Sequence, residues 1–278
     1  MRPEKPIVFV VNYPLAYFAQ RVGGDAIDVA FPVPDEFDPA YWSPDAEAIA
    51  AFQSAELIFL NGADYAKWTL RATLPTSRTI VTTCDVQDRI IEVADAVTHS
   101  HGPEGEHVHA ALAPETWLDP QLAVEQARVI MEELEKLIPA SSDSIAANFT
   151  ALEADLRSLD EALESTFAES SGLWIASHSA FSYLGRRYSL ELRIVHWEPN
   201  ELPSDDHWHE LEELVASRPA SWMLWEDEPM QETCDRLRTL GVRVAVFRPA
   251  ATRPKSGDYL TTMRKNLERL QAAVPTSP

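Results

Sequence analysis

Four of the eight histidines in the chain lie in one short stretch, THSHGPEGEHVH, at residues 98–109. They form two His-X-His pairs, His99 with His101 and His107 with His109, on either side of a Gly-Pro-Glu-Gly-Glu turn. Neutral imidazole is a common ligand of zinc, and such a turn can fold two pairs toward one ion. The same glycines and proline are typical of an exposed loop, where histidines collect metal only weakly. The pattern predicts metal handling and leaves both forms of it open.

Three further side chains that could bind metal follow apolar runs in the last third of the chain. His178 ends LWIASH, Glu226 ends SWMLWE, and Asp258 follows VRVAVFRP after a short loop. If these runs are parallel strands, their carboxyl ends lie at one edge of a sheet, where open α/β sheets bind ligands. A single histidine at such an edge is usually a hydrogen-bonded core residue. Three candidate ligands at strand ends favour a site instead.

Motifs for several other chemistries are missing from the sequence. It has no GxSxG nucleophile elbow, no GxxxxGK[ST] phosphate loop and no GxGxxG fingerprint. The HELEE segment at His209 lacks the second histidine of an HExxH zinc-protease helix, so we interpret His207 and His209 as surface residues. Cys84 and Cys234 are too far apart for a CxxC site, and we expect two buried small side chains, with one long-range disulfide as the alternative. We predict no enzymatic activity.

The charge of the chain limits its partners. Its 278 residues include 44 acidic and 23 basic side chains, for a net charge of −21. This charge repels nucleic-acid phosphates and anionic membrane surfaces. No apolar run approaches the ~18 residues of a membrane span. The run IVFVV is interrupted at Asn12 too early for the core of a secretory leader, so we interpret it as a strand and expect any leader to be missing from this chain.

Short apolar runs alternate with amphipathic segments in the first and last thirds of the chain. The runs predict strands at PIVFVV, AIDVAFPV, LIFLNG, TIVTTC, LWIASH, ELRIVHW, SWMLWE and VRVAVF. Helices are predicted at 16–22, 43–54, 180–188, 206–217, 230–240 and 258–274. We expect Ser43 to cap the second of these helices and Asp205 or Asp206 to cap the fourth. Strands that alternate with helices imply parallel sheets with covered faces, and hence an α/β protein.

One long amphipathic stretch separates the two groups of strands. Its apolar residues recur at spacings of three and four, namely Ile145, Phe149, Leu152, Leu156, Leu159, Leu163 and Phe167. The pattern predicts one helix at 141–167 that is roughly 40 Å long, with no glycine or proline to bend it. The predicted organisation is an N-terminal α/β lobe at 1–140, a rigid linking helix at 141–168 and a C-terminal α/β lobe at 169–278.

Several segments follow one another in a characteristic order. The chain contains NYPLAYFAQRVGGD, then VPDEFDPAYWSPDAEAIAAFQSAELIFLNGADYAKW, the His-rich stretch leading into TWLDP, then NFTALEADLRSLDEAL, SHSAFSYLGRRYSLEL, LWEDEP and GDYLTTMRKNLERL. This order resembles the zinc and manganese solute-binding proteins of ABC importers, over essentially the whole chain. The resemblance implies two α/β lobes joined by a rigid helix, with one metal ion bound between them and delivered to a membrane permease.

The resemblance also implies ligand positions, which this sequence fills only in part. His178 in SHSAF and Asp258 in GDYL match two of them, and Glu226 in LWEDEP matches an acidic position close to the cleft. The two remaining positions are histidines in the family. Here they are Ala40 in FDPAYWSP and Glu115 in APETWLDP. Two imidazoles of the family site are therefore absent from their usual places.

The His-rich stretch comes just before APETWLDP and can replace those imidazoles. One or two of His101, His107 and His109, together with His178 and an acid, give nitrogen-rich, four-coordinate geometry, and His99 is a further candidate. Such a donor set predicts zinc in preference to manganese.

The sequence thus predicts a monomeric, non-catalytic, zinc-binding protein of an ABC importer. Its expected place is the periplasm or another extracytoplasmic site, with a permease as partner, no segment inserted in the membrane and no bound nucleic acid. The alternative is a metal buffer or scaffold of the same fold, cytoplasmic or periplasmic, that does not transport. A zinc hydrolase with Glu115 or Glu226 as base is a third class, and the sequence has no recognisable base-and-ligand motif for it.

Overall fold

The chain folds into two parallel β-sheets flanked by helices. The computed structural model describes residues 5–35, 37–93, 111–170 and 172–273. The strands are β1 (Ile7–Val10), β2 (Asp28–Ala30), β3 (Leu57–Leu60), β4 (Thr79–Val81), β5 (Glu92–Val93), β6 (Ala111–Leu112), β7 (Leu173–Ala176), β8 (Glu191–Ile194), β9 (Ala220–Trp225) and β10 (Arg243–Val246). The α-helices are α1 (Tyr13–Gly23), α2 (Ala46–Ser54), α3 (Pro120–Leu137), α4 (Ser142–Ala168), α5 (Ser182–Arg187), α6 (Asp205–Ser217), α7 (Gln231–Thr239) and α8 (Tyr259–Ala273).

The two large sheets have four strands each. The first has the order β2-β1-β3-β4 and the second the order β10-β9-β7-β8, and neighbouring strands are parallel in both. All four residues of β7 are buried, as expected of a central strand with helices on both faces. Each of the eight predicted apolar runs supplies one strand of these sheets. The predicted fold class, two α/β lobes joined by one long helix, is confirmed.

The connecting helix is α4, which has 27 residues. The predicted apolar stripe is its buried face, since every member from Ile145 to Phe167 is at most 5% exposed. The helix packs against α1, α3 and α8. Its ends lie within one residue of the predicted ends. The lobe boundaries at 140 and 168 stay predictions.

Helix α3 has no counterpart among the predicted helices. It begins at Pro120, after Asp119, whose carboxylate accepts the backbone N–H of Gln121 at 2.9 Å. A capping acid followed by proline at the first helical position is a favourable helix start. The helix packs against α4 and α1, and α1 in turn contacts β1 and β2 of the first sheet.

Two helices begin at a cap other than the predicted one. α2 follows Asp45, whose carboxylate accepts a backbone N–H of the first turn at 2.8 Å, and Ser43 lies two residues earlier. α6 follows Ser204, whose hydroxyl accepts a backbone N–H at 3.2 Å. Asp205 and Asp206 are inside its first turn, where negative charge suits the positive end of the helix dipole.

The exposure of two histidines agrees with the sequence prediction, whereas that of the cysteines does not. His207 and His209 are exposed, as predicted. Cys84 and Cys234 are both free thiols; Cys234 is partly buried, but Cys84 is exposed because it begins a 3-10 turn beyond the end of β4. Neither thiol is fully buried, so the expectation of two buried cysteines is wrong. Over the ranges that the structure describes, every helix is too short or too polar to cross a lipid bilayer.

Besides the linking helix α4, hydrogen bonds between buried aromatic residues and backbone carbonyl groups also join the two lobes. Tyr259, at the start of α8, donates its hydroxyl to the carbonyl oxygen of Trp117 at 2.9 Å. The indole Nε1 of Trp117 donates to the carbonyl oxygen of Pro249 at 2.8 Å. Both aromatic side chains are fully buried. Buried Tyr and Trp side chains usually find a partner for their polar ends, and here those partners lie across the two lobes.

Candidate metal centre

Three side chains that can bind metal converge at the carboxyl edge of the second sheet. His178 lies two residues beyond the end of β7, Glu198 four residues beyond β8, and Glu226 directly after β9. These strands are neighbours in the order β9-β7-β8 and run parallel. Residues that follow their carboxyl ends therefore lie side by side.

The three groups are within direct contact of one another. Nε2 of His178 lies 3.0 Å from Oε1 of Glu198, and Nδ1 lies 2.9 Å from Oε1 of Glu226. One ligand atom from each residue falls within 4.8 Å of the other two. The side chains are 22%, 54% and 30% exposed for His178, Glu198 and Glu226. Solvent thus reaches the cluster, as a site that takes up and releases an ion requires.

The two carboxylates control the charge of the imidazole. Burial alone lowers the pKa of His178, but the close contact with Glu226 and the negative charges of Glu226 and Glu198 outweigh it, so the pKa lies above its ordinary value. Nε2 is in hydrogen-bonding geometry with Glu198, whereas Nδ1 lies close to Glu226 without forming a hydrogen bond among the described residues. A divalent cation can take the place of a proton on the ring, because the neutral imidazole is the form that binds metal.

Glu115 faces this cluster from the first lobe. It stands between β6 and the 3-10 turn Thr116–Leu118. Burial, reinforced by the charges of Glu226 and Asp38, raises the pKa of Glu115 to about 7. Its Oε2 is buried without a hydrogen-bond partner among the described residues. A cavity of about 380 Å³ joins the two lobes here, and its lining includes Asp38, Tyr65, Glu115 and Glu226.

Asp258 lies apart from the three-residue cluster. Its Oδ1 accepts the backbone N–H of Thr261 at 2.8 Å, and its carbonyl oxygen accepts that of Thr262 at 2.9 Å. Asp258 is therefore the N-terminal cap of α8. Only one carboxylate oxygen is needed for the cap. The ligand role that the sequence suggested for it stays a prediction.

The four clustered histidines, His99, His101, His107 and His109, lie outside the described residues. The strands on either side of segment 94–110 pair with each other, with Glu92 opposite Leu112 in the antiparallel pair β5-β6. Glu115 follows three residues after β6. Both ends of the segment are thus attached close to Glu115, and the part of these histidines in metal binding stays a prediction.

Glu198 is the residue of this centre that the sequence analysis missed. The reasoning that selected His178 and Glu226 was that each follows an apolar strand. Glu198 follows one too, in ELRIVHWE, but four positions beyond the strand end. At that separation the sequence does not show toward which side the chain turns.

Comparison with known proteins identifies a family model and relatives that match this chain. The family model described as "ZnuA: Zinc-uptake complex component A periplasmic" matches residues 8–273. The zinc-binding protein AdcA of Streptococcus pyogenes serotype M6 is 24% identical over 283 residues, which cover 95% of this chain and 55% of that protein. The manganese-binding lipoprotein MntA of Halalkalibacterium halodurans is 24% identical over 184 residues, covering 65% of this chain and 57% of that protein. The chain spans about half the length of these two relatives.

Solved structures agree on the fold. The metal-dependent lipoprotein YcdH of Bacillus subtilis superposes with a TM-score of 0.82 at 21% identity, covering 97% of this chain and 99% of that one. The Zn(II)-bound ZnuA-like domain of AdcA from Streptococcus pneumoniae superposes with a TM-score of 0.80 at 21% identity, covering 98% and 99%. At these identities the likeness establishes the two-lobed architecture.

Proposed function

This chain belongs to the family of the periplasmic zinc-uptake component A, and from that premise we propose that it captures a divalent metal ion between its lobes and delivers it to an ABC permease. Zinc is the proposed cargo and manganese the secondary one. The proposed location is extracytoplasmic. We propose further that the protein acts as a monomer and without catalysis.

The observation that carries this proposal is the contact of one imidazole with two carboxylates at a sheet edge. His178, Glu226 and Glu198 offer one nitrogen and two oxygen donors within 4.8 Å of one another. Such a donor set suits a first-row divalent ion.

Each lobe has a part in the proposed site. His178 binds through a ring nitrogen, and the carboxylate on the opposite side of the ring fixes its orientation. Glu115 is a ligand from the first lobe, because its buried Oε2 has no partner among the described residues. Asp258 is proposed as a further ligand through the oxygen not used in the helix cap.

Zinc is favoured by two arguments. AdcA of Streptococcus pyogenes, which matches 95% of this chain, is named a zinc-binding protein. The segment at 98–109 brings four more imidazoles to the chain near Glu115, and we propose that one or two of His101, His107 and His109, or else His99, complete the coordination. Added nitrogen donors favour zinc over manganese.

Zinc calorimetry on His178→Ala tests the proposal. Loss of the imidazole should weaken zinc binding by about 100-fold or more, since even outer-shell changes at metal sites cost about 10–100-fold. His209→Ala is the matched control, because it removes an exposed histidine of the same lobe and should leave the affinity unchanged. Equal zinc affinity in His178→Ala and the wild type would reject the site.

A second candidate function is favoured by one feature. Ala40 offers no ligand atom, and Glu115 replaces an imidazole expected at its position. A protein with such a site could store or buffer metal without delivering it. Zinc-loaded protein should stimulate ATP hydrolysis by its cognate permease complex if it is an importer component, and should have no effect if it is a buffer.

A further inference from the structure

The first-lobe wall of the cavity holds polar groups to which the proposed site gives no role. Asp38 and Tyr65 line the cavity from the first lobe, together with Glu115 from the same lobe and Glu226 from the second. Asp38 belongs to the segment between β2 and α2, and Tyr65 follows β3. Both residues therefore come from the carboxyl side of the first sheet, just as His178 comes from the carboxyl side of the second.

The hydroxyl of Tyr65 is buried and, within the described parts of the chain, has no hydrogen-bond partner. The residue is 5% exposed. Its ring packs edge-on against Trp117, with the ring centroids 5.4 Å apart. A buried hydroxyl without a partner carries a desolvation penalty of about 1–3 kcal/mol. Such a group is expected where a bound ion, its water or its ligands supply the missing partner.

The carboxylates of this wall also lack cationic partners. Arg248 lines the cavity but is held by a neighbouring carboxylate at 2.6 Å, and Asp35 faces Arg253 at 3.6 Å. In the ranges that the structure describes, no lysine or arginine forms an ion pair with Asp38 or Glu115. Acidic groups that share a cavity repel each other unless a cation lies between them.

Asp38 is held in place with one oxygen free. Its Oδ1 accepts the backbone N–H of Ala40 at 2.8 Å. This contact fixes the carboxylate at the start of the turn and leaves Oδ2 without a hydrogen bond to the described residues. Ala40, two positions further along, presents only a methyl group.

We propose that Asp38 is a ligand of the bound metal ion and that the Tyr65 hydroxyl donates a hydrogen bond to the ligand shell. The inference rests on the proposed function. It means that the described part of the first lobe contributes oxygen donors, Asp38 and Glu115, to the imidazole and carboxylates of the second lobe. Carboxylate-rich sets accept manganese as well as zinc. Manganese binding therefore depends on Asp38 more strongly than zinc binding does.

Titration of the full chain with Mn²⁺ and with Zn²⁺ tests the role of Asp38. Asp38→Asn removes the charge and keeps an oxygen for the Ala40 N–H, so the turn is preserved. We expect Mn²⁺ affinity to fall about tenfold or more, and Zn²⁺ affinity to fall less. The control is Asp35→Asn, which removes the same charge from the same cavity. Asp35 and Asp38 are both exposed, but Asp35 already has a cationic partner in Arg253, so this change should stay within about twofold for either metal.

Tyr65→Phe provides an independent measurement by thermal unfolding. If the hydroxyl has only a packing role, the variant loses nothing and should melt at or above the wild-type temperature with and without metal. If the hydroxyl serves the ligand shell, the metal-free variant melts no lower than the wild type, but the stabilisation by Mn²⁺ is smaller.

The outcomes separate this inference from the proposed function. A wild-type chain that binds neither metal would reject the proposed function and the inference with it. A wild-type chain that binds metal, with Asp38→Asn equal to Asp35→Asn, would reject the inference alone. A full metal-induced stabilisation in Tyr65→Phe would remove the role given to the hydroxyl.

Discussion

Oε1 of Glu198 lies 3.0 Å from Nε2 of His178, while the other ring nitrogen faces Glu226 at 2.9 Å. An imidazole with a carboxylate at each nitrogen is held in one orientation before any ion arrives. When a metal ion binds one nitrogen, the carboxylate at the other nitrogen keeps the ring aligned and makes it a stronger donor. In the proposed site, the pair of glutamates therefore positions His178 and strengthens its binding to the ion.

Glu198→Gln should weaken zinc binding by about tenfold, whether Glu198 binds the ion or orients the ring. Calorimetry with Zn²⁺ measures the change. Glu201→Gln is a matched control, because Glu201 lies three positions further along the same segment and is exposed. The control should keep the wild-type affinity. Equal affinities in the two variants would show that the contact between Glu198 and His178 has no part in binding.

Metal affinity should fall as the pH drops below about 7. The pKa of Glu115 is about 7, and that of His178 is above its ordinary value because of Glu226 and Glu198. Groups with raised pKa values keep their protons up to higher pH, so a metal ion must displace them. Each displaced proton costs about tenfold in affinity for each pH unit below the pKa.

Zinc calorimetry at pH 8 and pH 6, in two buffers with different ionisation enthalpies, measures both the affinity and the protons released. Glu115→Gln is the informative comparison, because it removes one titrating group and should flatten the profile. An affinity that is the same at both pH values would contradict the proton competition.

Much of the fold could be predicted because its elements obey local rules. Each of the eight strands of the two sheets is a short apolar run, and α4 shows a regular stripe without glycine or proline. The cap of α2 could not be assigned, since Ser43 and Asp45 both satisfy the preference and the choice depends on where the chain turns. Helix α3 also shows a local start signal, a capping acid at Asp119 followed by Pro120, although no helix was predicted there.

The candidate site was less predictable, because its geometry depends on loops. Strand ends correctly indicated that His178 and Glu226 meet. The same signal could not distinguish Asp258, whose carboxylate is used in a helix cap, from a residue in the cluster. Asp38 and Tyr65 lie in segments that carry the family resemblance, but neither was assigned a role from it, and only the three-dimensional structure shows that they share a cavity with Glu115.

The two roles of Asp258 can be separated by two substitutions. Asp258→Asn keeps an oxygen for the Thr261 N–H, whereas Asp258→Ala removes it. Loss of the cap should lower the free energy of unfolding by about 1 kcal/mol in the alanine variant only. If Asp258 also binds the ion, both variants should lose zinc affinity by about tenfold. Denaturant unfolding and calorimetry on the two variants give the answer, and wild-type zinc affinity in Asp258→Asn would limit the residue to its cap.

The pair formed by Asp160 of α4 and Arg187 of α5 should matter strongly for stability. The guanidinium donates to the carboxylate at 2.7 Å and 2.9 Å, and the Tyr188 hydroxyl donates to it at 3.0 Å. The two charged side chains are only 11% and 17% exposed. Asp160→Ala leaves a largely buried guanidinium without its main partner, which typically costs about 3 kcal/mol or more.

For a chain of this size that loss corresponds to a fall of roughly 5–10 °C in melting temperature, measurable by scanning fluorimetry. Arg157→Ala is the control on the same helix, because it breaks an ion pair to Glu153 whose arginine is 60% exposed. Exposed pairs of this kind contribute little, so the control should melt within about 2 °C of the wild type. Similar melting temperatures for the two variants would show that the pair of Asp160 and Arg187 contributes little to stability.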